Sequence, residues 1–377
     1  MAWISGAGDT HFGRLPDEDT LTLMARSVTQ ALSDAGLERS DIDGLLCGYS
    51  TAMPHLMLAS VFGEYFGIEA KYCHTVQVGG GTGAAMTMLA NRLCDVGQCR
   101  HVLVVGGENR LSGQGSDKTV QTLAEVGHPD YETPFGPTIP AYYALVAARY
   151  LHEYGLCEED LAEFSVLNRT HACTHPKAHF RDSITIDDVM LSRPIARPMK
   201  LLDCCPISDG SAALVVSSER PSGLAVRIAG AGQVHPFQHV IAAKSLTDFR
   251  SRDASQAALN EAGIGVEEIN IAGIYDSFSI TLLVFIEELG LAPRGGAAAL
   301  AREGKFSLNG AVPVNTHGGL MSFGHSGVAG GLAHILEVYR QLAQKAGTRQ
   351  IEGRDAGLIH GEGGILSSQI SMVFLKD

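Results

Sequence analysis

The stretch "ALSDAGLERSDIDGLLCG", residues 31–48, returns far downstream as "ALNEAGIGVEEINIAGIYD", residues 258–276. In both copies a helix closes on Ala-Gly, an acidic turn follows, and an isoleucine opens an apolar strand. Each copy is followed by a Gly-rich turn and an apolar helix: "VQVGGGTGAAMTMLANRLCDVG" (76–97) and "VNTHGGLMSFGHSGVAGGLAHILEVYRQL" (314–342). The first helix places Ala85, Leu89, Leu93 and Val96 on one face, and the second does the same with Val328, Leu332, Ile335, Tyr339 and Leu342. Strand-like runs "HVLVVGG" (101–107) and "AALVVSS" (212–218) complete the first half, with "LAVRIAGAG" (224–232) and "QISMVFL" (369–375) in the second. The repeat is far too long for a solenoid. It predicts an α/β protein of two similar halves, residues 1–222 and 223–377, meeting near "SSERPSG" (217–223). Between the strands of the first half lies an insertion of about residues 110–200, rich in His, Pro and aromatic side chains, which suits a lid or substrate-binding region.

Composition narrows the function classes. A 377-residue chain with a formal charge of −13 and no Lys/Arg cluster is a poor partner for a phosphate backbone, so nucleic-acid binding is excluded. No uncharged apolar run reaches membrane-spanning length, and the N-terminal stretch lacks the apolar core of a signal peptide. A cytoplasmic protein is expected. The eight cysteines all precede residue 206 and none forms a CxxC pair, so disulfides and a zinc ribbon within this chain are not expected. The one other metal-like cluster is "HACTHPKAH", with His171, Cys173, His175 and His179. Pro176 breaks any helix that would align these rings, so the segment reads as a polar surface loop, and no metal is expected.

At this point several segments together carry a family resemblance: "LVVGGEN", "FGPTIPAYYALVAARYLHEYG", "RPIARPMKLLDCCPISDGSAALVVSSE", "YDSF", "VNTHGGLMSFGHSGVAGG" and "HGEGG". In order and spacing they resemble the thiolase superfamily over nearly the whole chain, specifically its sterol-carrier-protein-x or lipid-transfer-protein branch. The resemblance implies a five-layer αβαβα fold, a homodimer and coenzyme-A thioester substrates, with coenzyme A entering as part of the substrate and no separate cofactor. It also implies a nucleophilic cysteine on the turn entering the first buried helix.

That cysteine is missing. The family pattern Glu-x-x-Cys-Ala-Ser-Gly falls on Gln77 to Gly83, and Gly80 stands at the nucleophile position. Glycine carries no sulfur, so an acyl-enzyme cannot form there. Cys73 lies on or before the preceding strand and reads as a buried apolar residue. The family's second, C-terminal cysteine is replaced by His360 of "IHGEGG".

The remaining motifs imply an electrostatic site. "GHSG" is similar to the family's Gly-His-Pro, so His325 matches the histidine that donates to the thioester oxygen, with Ser326 in place of proline. "YDSF" resembles the branch's His-Asp-Cys-Phe and puts Tyr275 beside that oxyanion hole, with Asp276 as a supporting group behind it. Backbone N–H groups of Gly80 and Glu362 are the expected second anion hole. Gly318 and Gly319 are expected to let backbone approach the substrate. "SRPIARPMK" gathers Arg193, Arg197 and Lys200, either for the phosphates of coenzyme A or for pairing with Asp187 or Asp188.

Three functions remain open on these residues. A retro-aldol lyase needs only a base and an oxyanion hole, with His360 as the expected base and Tyr275 as donor or relay. Thiolase-like steroid side-chain aldolases are similar in lacking the cysteine and work with a zinc-ribbon/OB-fold partner. The alternatives are a non-catalytic acyl-CoA-binding or scaffold subunit, and an acetyl-CoA acetyltransferase.

Overall fold

The structure is a computed structural model that describes residues 2–115 and 125–377. Nine strands form one sheet: β1 (Ala2–Asp9), β2 (Gly44–Gly48), β3 (Tyr72–Val76), β4 (His101–Asn109), β5 (Asp209–Ser217), β6 (Val226–Val234), β7 (Ile271–Ile274), β8 (Ala356–Gly363) and β9 (Ser368–Lys376). Their order is β3-β2-β4-β5-β1-β6-β9-β8-β7. The two halves mirror one another about the β1–β6 junction, where Trp3 pairs with Arg227. Val314, bridged to Ala272, continues the second half where β3 completes the first.

The repeated sequence signal is repeated in space. Helix α1 (Thr20–Ala35) is capped by the Asp19 carboxylate, which accepts the Thr22 N–H at 2.7 Å, and ends on Gly36 at φ 66°. Helix α6 (Ser251–Ala262) ends on Gly263 at φ 74° in the same way. Strand β1 lies so close to α1 that a Cβ on Gly8 would stand 2.6 Å from the Ala31 nitrogen. On β6, a Cβ on Gly230 would stand 2.8 Å from the Ala262 nitrogen of α6. Both strands therefore carry a Gly-Ala-Gly where the covering helix presses its backbone onto the sheet.

Helices α3 (Thr82–Asp95) and α9 (Val328–Leu342) pack on each other and touch strands of both halves. They form the middle layer between the strand groups, with α1 and α2 (Leu58–Phe66) outside one group and α6 and α7 (Ser279–Glu288) outside the other. This is the five-layer αβαβα arrangement. The interior strands are largely apolar because both faces are covered: β4, β5, β7 and β8 are buried along almost their whole length.

The insertion contributes α4 (Ile139–Tyr154) and α5 (Glu158–Ala172); its residues 116–124 lie outside the described residues. The expectation of a polar surface loop at "HACTHPKAH" is corrected. His171 sits on α5 and is buried, as is His175, whose ring meets Phe323 edge-on at 4.8 Å between centroids. No metal-like cluster occurs among the described residues. The strand at 101–107 is interior, held between β2 and β5, and β3 is the edge strand at that end of the sheet.

Candidate active site

A cavity of about 300 Å³ opens between the two halves where strand ends, the middle helices and the insertion meet. Its position outside strand termini is the usual place for a ligand in an α/β sheet. One wall is Gly79 and Gly80 in the turn from β3 to α3, where Gly79 takes φ 54°. Tyr275, just past β7, and His325, in the turn before α9, form the floor. Val126, Ile139, Pro140 and Tyr143 of the insertion also line the cavity.

The Tyr275 hydroxyl lies 2.8 Å from His325 Nε2. Its backbone N–H donates to the His360 carbonyl at 2.9 Å, which ties the end of β7 to β8. His325 is held from two sides. Its N–H donates to Ser208 Oγ at 3.2 Å, and its carbonyl accepts the Ser208 N–H at 3.0 Å. Ser326, standing where the family pattern has proline, donates to the carbonyls of Glu108 at 2.8 Å and Gly210 at 2.9 Å, pinning the turn onto β4 and β5. Burial lowers the His325 pKa to about 4, assisted by the Arg110 charge, so the imidazole is neutral at pH 7. Burial together with the Glu362 charge raises the Tyr275 phenol well above its usual range, so it keeps its proton.

Gly80 is closed in by this pair. A Cβ built there would stand 2.7 Å from the Glu362 carbonyl oxygen and closer still to the Tyr275 hydroxyl. The phenol fills the volume that a cysteine at this position would need. The two other cysteines on the cavity wall, Cys204 and Cys205, have thiols pushed upward by burial, Cys204 to about 12. Neither is a ready nucleophile at neutral pH. Cys73 lies on β3 and packs against the outer core beneath α1 and α2.

Glu362 contributes differently from the expectation. It presents its carbonyl oxygen, not an N–H group, to Gly80. Its carboxylate Oε1 accepts the Tyr143 hydroxyl at 2.8 Å and the Leu366 N–H at 2.6 Å. Oε2 makes no hydrogen bond among the described residues. Burial raises this carboxyl's pKa to about 7, the range in which a group both takes and returns protons.

Two family models together cover nearly the whole chain. Residues 2–220 match "Thiolase, N-terminal domain" and residues 232–376 match "Thiolase C-terminal domain-like". The chain belongs to the thiolase family. A steroid side-chain-cleaving aldolase of Thermomonospora curvata is 32% identical, with 90% of each chain covered. An acetyl-CoA acetyltransferase of Methanothermobacter thermautotrophicus is 30% identical over 96% of each. Among solved structures, the Ltp2-ChsH2(DUF35) aldolase superposes with a TM-score of 0.87 at 30% identity, covering 100% of this chain and 98% of that one. Thiolase-fold relatives of this chain thus include both lyases and acetyltransferases.

Several expected site residues of this thiolase-fold chain sit elsewhere. His360 does not line the cavity. Its ring is locked between Ser371 Oγ at 2.8 Å, Gln369 Oε1 at 3.1 Å and the Phe285 ring of α7. Burial lowers its pKa to about 3, so it is a neutral packing residue and not the base. Gly318 and Gly319 are also corrected. They open the helical turn α8 (Gly319–Ser322), where a Cβ on Gly318 would meet Ala172 at 2.5 Å and one on Gly319 would strike the Asp276 carboxylate. Gly318 is small so that Ala172 of α5 fits, and Gly319 so that Asp276 does.

Asp276 is fully buried and outside the cavity lining. It accepts Asn168 Nδ2 at 2.6 Å and the Leu320 N–H at 2.7 Å, and lies 3.2 Å from His334 Nε2. This holds the residues before His325 in place. Arg193 and Arg197 are exposed on the short ribbon of Pro194–Ala196 with Met199–Lys200, away from the cavity lining. Lys200 is taken by Glu158.

Sequence reasoning missed three groups: the Glu362 carboxylate, Tyr143 and Arg110. The available signal for Arg110 was its place directly after the interior strand "HVLVVGGEN", at the strand terminus where ligands bind.

Proposed function

We propose that this protein is an acyl-CoA lyase that breaks a carbon–carbon bond by retro-aldol cleavage of a β-hydroxyacyl-CoA, without a cysteine acyl-enzyme. The observation that carries the reading is the Tyr275 hydroxyl lodged in the space of a residue-80 side chain and hydrogen-bonded to His325. A nucleophile has been replaced by a hydrogen-bond donor.

In this reading the Glu362 carboxylate takes the proton of the substrate β-hydroxyl. The Cα–Cβ bond breaks, the β-carbon leaves as a ketone or aldehyde, and the electron pair moves onto the thioester oxygen as an enolate. Tyr275, protonated at neutral pH, donates to that oxygen, while the His325 Nε2–H tautomer donates to the phenol oxygen. Return of the proton to Cα gives the shortened acyl-CoA and restores Glu362. A site excluded from water strengthens both donors. The acetyltransferase reading requires a thiolate, and Cys204 and Cys205 are held as thiols.

We infer that the lyase works as a homodimer that pairs its exposed β3 edges, and with a DUF35-type partner like that named for the Ltp2-ChsH2 aldolase. The reading is tested by incubating the protein with a panel of β-hydroxyacyl-CoA thioesters, with and without such a partner, and following carbonyl release. Acetyl transfer between acetyl-CoA molecules in place of that release would overturn it.

A further inference from the structure

Arg110 is the cation of the cavity wall among the described residues, and nothing in the cleavage described above uses it. It begins the helical turn Arg110–Gly113 at the end of β4 and is only 4% exposed. Its Nη2 lies 2.5 Å from Glu108 Oε1 and its Nε donates to Thr51 Oγ1 at 3.1 Å. Nη1 makes no hydrogen bond among the described residues.

Glu108 has other work. Its Oε2 accepts the N–H groups of Thr51 at 2.8 Å and Ala52 at 3.1 Å, with the hydroxyls of Ser50 at 3.1 Å and Thr51 at 3.0 Å. The carboxylate therefore folds the loop after β2 and anchors the guanidinium from behind. What remains is a rigid, planar donor on the wall of a chamber that Val126, Ile139, Pro140, Ile207 and Phe278 make partly apolar and that Tyr275, His325 and Glu362 also line. Glu108 supplies the counter-anion, and an acceptor at Nη1 would complete the hydrogen bonding of the buried guanidinium. Arg110 and His325 also border the same small space. A Cβ on Gly327 would stand 3.2 Å from Arg110 Nη2, and the Arg110 charge acts on the His325 ring.

We propose that the acyl part of the substrate carries its own carboxylate, and that Arg110 binds it. The inference rests on the acyl-CoA reading of this cavity and adds the substrate class: thioesters of dicarboxylic acids. With the thioester oxygen at Tyr275, a carboxylate on a short acyl chain meets Nη1 within the same cavity. Anchoring both ends of the acyl group fixes the bond to be broken between them.

Equilibrium binding tests this without requiring turnover. Calorimetry would compare glutaryl-CoA with its ω-methyl ester and ω-carboxamide on the wild-type protein, on Arg110→Met, and on Glu108→Gln/Arg110→Met, which removes both charges together. A charge-assisted pair predicts roughly 10–100-fold tighter binding of the free acid by the wild type. The preference should vanish in both variants, and Arg110→Lys should restore part of it. Equal binding of acid and ester by the wild type overturns the proposal, as does a preference that survives loss of Arg110. Carboxylate preference with no cleavage of any thioester would sink the lyase reading alone, while cleavage without the preference would sink this inference alone.

Discussion

The Tyr275 hydroxyl and the Cα of Gly80 are fitted to one another: the phenol lies where a side chain at position 80 would begin. Gly80→Cys therefore does not restore a thiolase. It overpacks the floor of the cavity, which predicts a loss of roughly 1–3 kcal/mol in stability. Thermal or denaturant unfolding of Gly80→Cys, Tyr275→Ala and the double variant checks the coupling. The double variant should be more stable than the sum of the single losses implies, because removing the ring frees most of the space. Strict additivity would show that the two residues do not share that volume.

His325→Ala removes the group that supports the phenol. Turnover should fall by up to the roughly 10²–10³-fold usual for loss of an oxyanion-hole donor, because His325 acts through Tyr275. KM should change less, because the interaction strengthens as charge develops on the thioester oxygen. Steady-state kinetics on a cleaved β-hydroxyacyl-CoA read both quantities. A large KM effect with unchanged kcat would place His325 in ground-state binding instead.

Glu362 predicts the pH profile. Burial raises its pKa to about 7, and only the ionised form accepts the β-hydroxyl proton, so kcat/KM should climb through that pH and level off above it. Glu362→Gln should remove that rise together with most of the activity, while Tyr143→Phe should shift its midpoint upward by withdrawing a donor from the carboxylate. His360→Asn gives the contrast. It should lower the melting temperature and leave the shape of the profile unchanged, since that ring is outside the cavity.

Buried histidines predict acid lability. His171 and His175 are lowered to about 4 and His360 to about 3, each chiefly by burial, while the unfolded chain takes up protons near the ordinary histidine value of about 6.5. Their folded pKa values lie below the unfolded ones, so the unfolded state binds more protons in this window. Stability is therefore full above about pH 6.5 and is lost as pH falls toward 4, at up to about 1.4 kcal/mol per pH unit for each ring. Glu362, with its pKa raised, contributes with the opposite sign between its unfolded value and 7. Melting temperatures measured from pH 8 to pH 4.5 should drop steeply below 6.5, and His175→Gln should lessen the slope.

The fold was readable because it repeats. Ala35-Gly36 and Ala262-Gly263 close equivalent helices, and the Gly-rich turns at 79–81 and 324–327 open the two middle helices. Tyr275, His325 and Gly80 were singled out by the resemblance of their turns to family motifs, and the fold brings the three to one cavity. His360 was misplaced for a geometrical reason. It shares a strand face with Glu362, but two residues of β8 separate their depths by roughly 7 Å, and Glu362 is the one at the mouth of the cavity. Gly318 and Gly319 differ from the expectation because their smallness serves Ala172 and Asp276 respectively, contacts made across the chain. Arg110 has no periodic context, and its orientation depends on Glu108, Thr51 and a loop that only folding brings together.

Carbon–carbon cleavage without a covalent acyl-enzyme is decided by single-turnover mass spectrometry. The wild-type protein, with its candidate DUF35-type partner, is mixed with a β-hydroxyacyl-CoA, and small molecules and intact protein are weighed from the same quenched sample. One carbonyl product and one shortened acyl-CoA per substrate consumed, with the protein mass unchanged at every time point, is the predicted result. An acyl adduct on the chain, appearing and decaying with turnover and lost on mutation of one cysteine, would contradict the account.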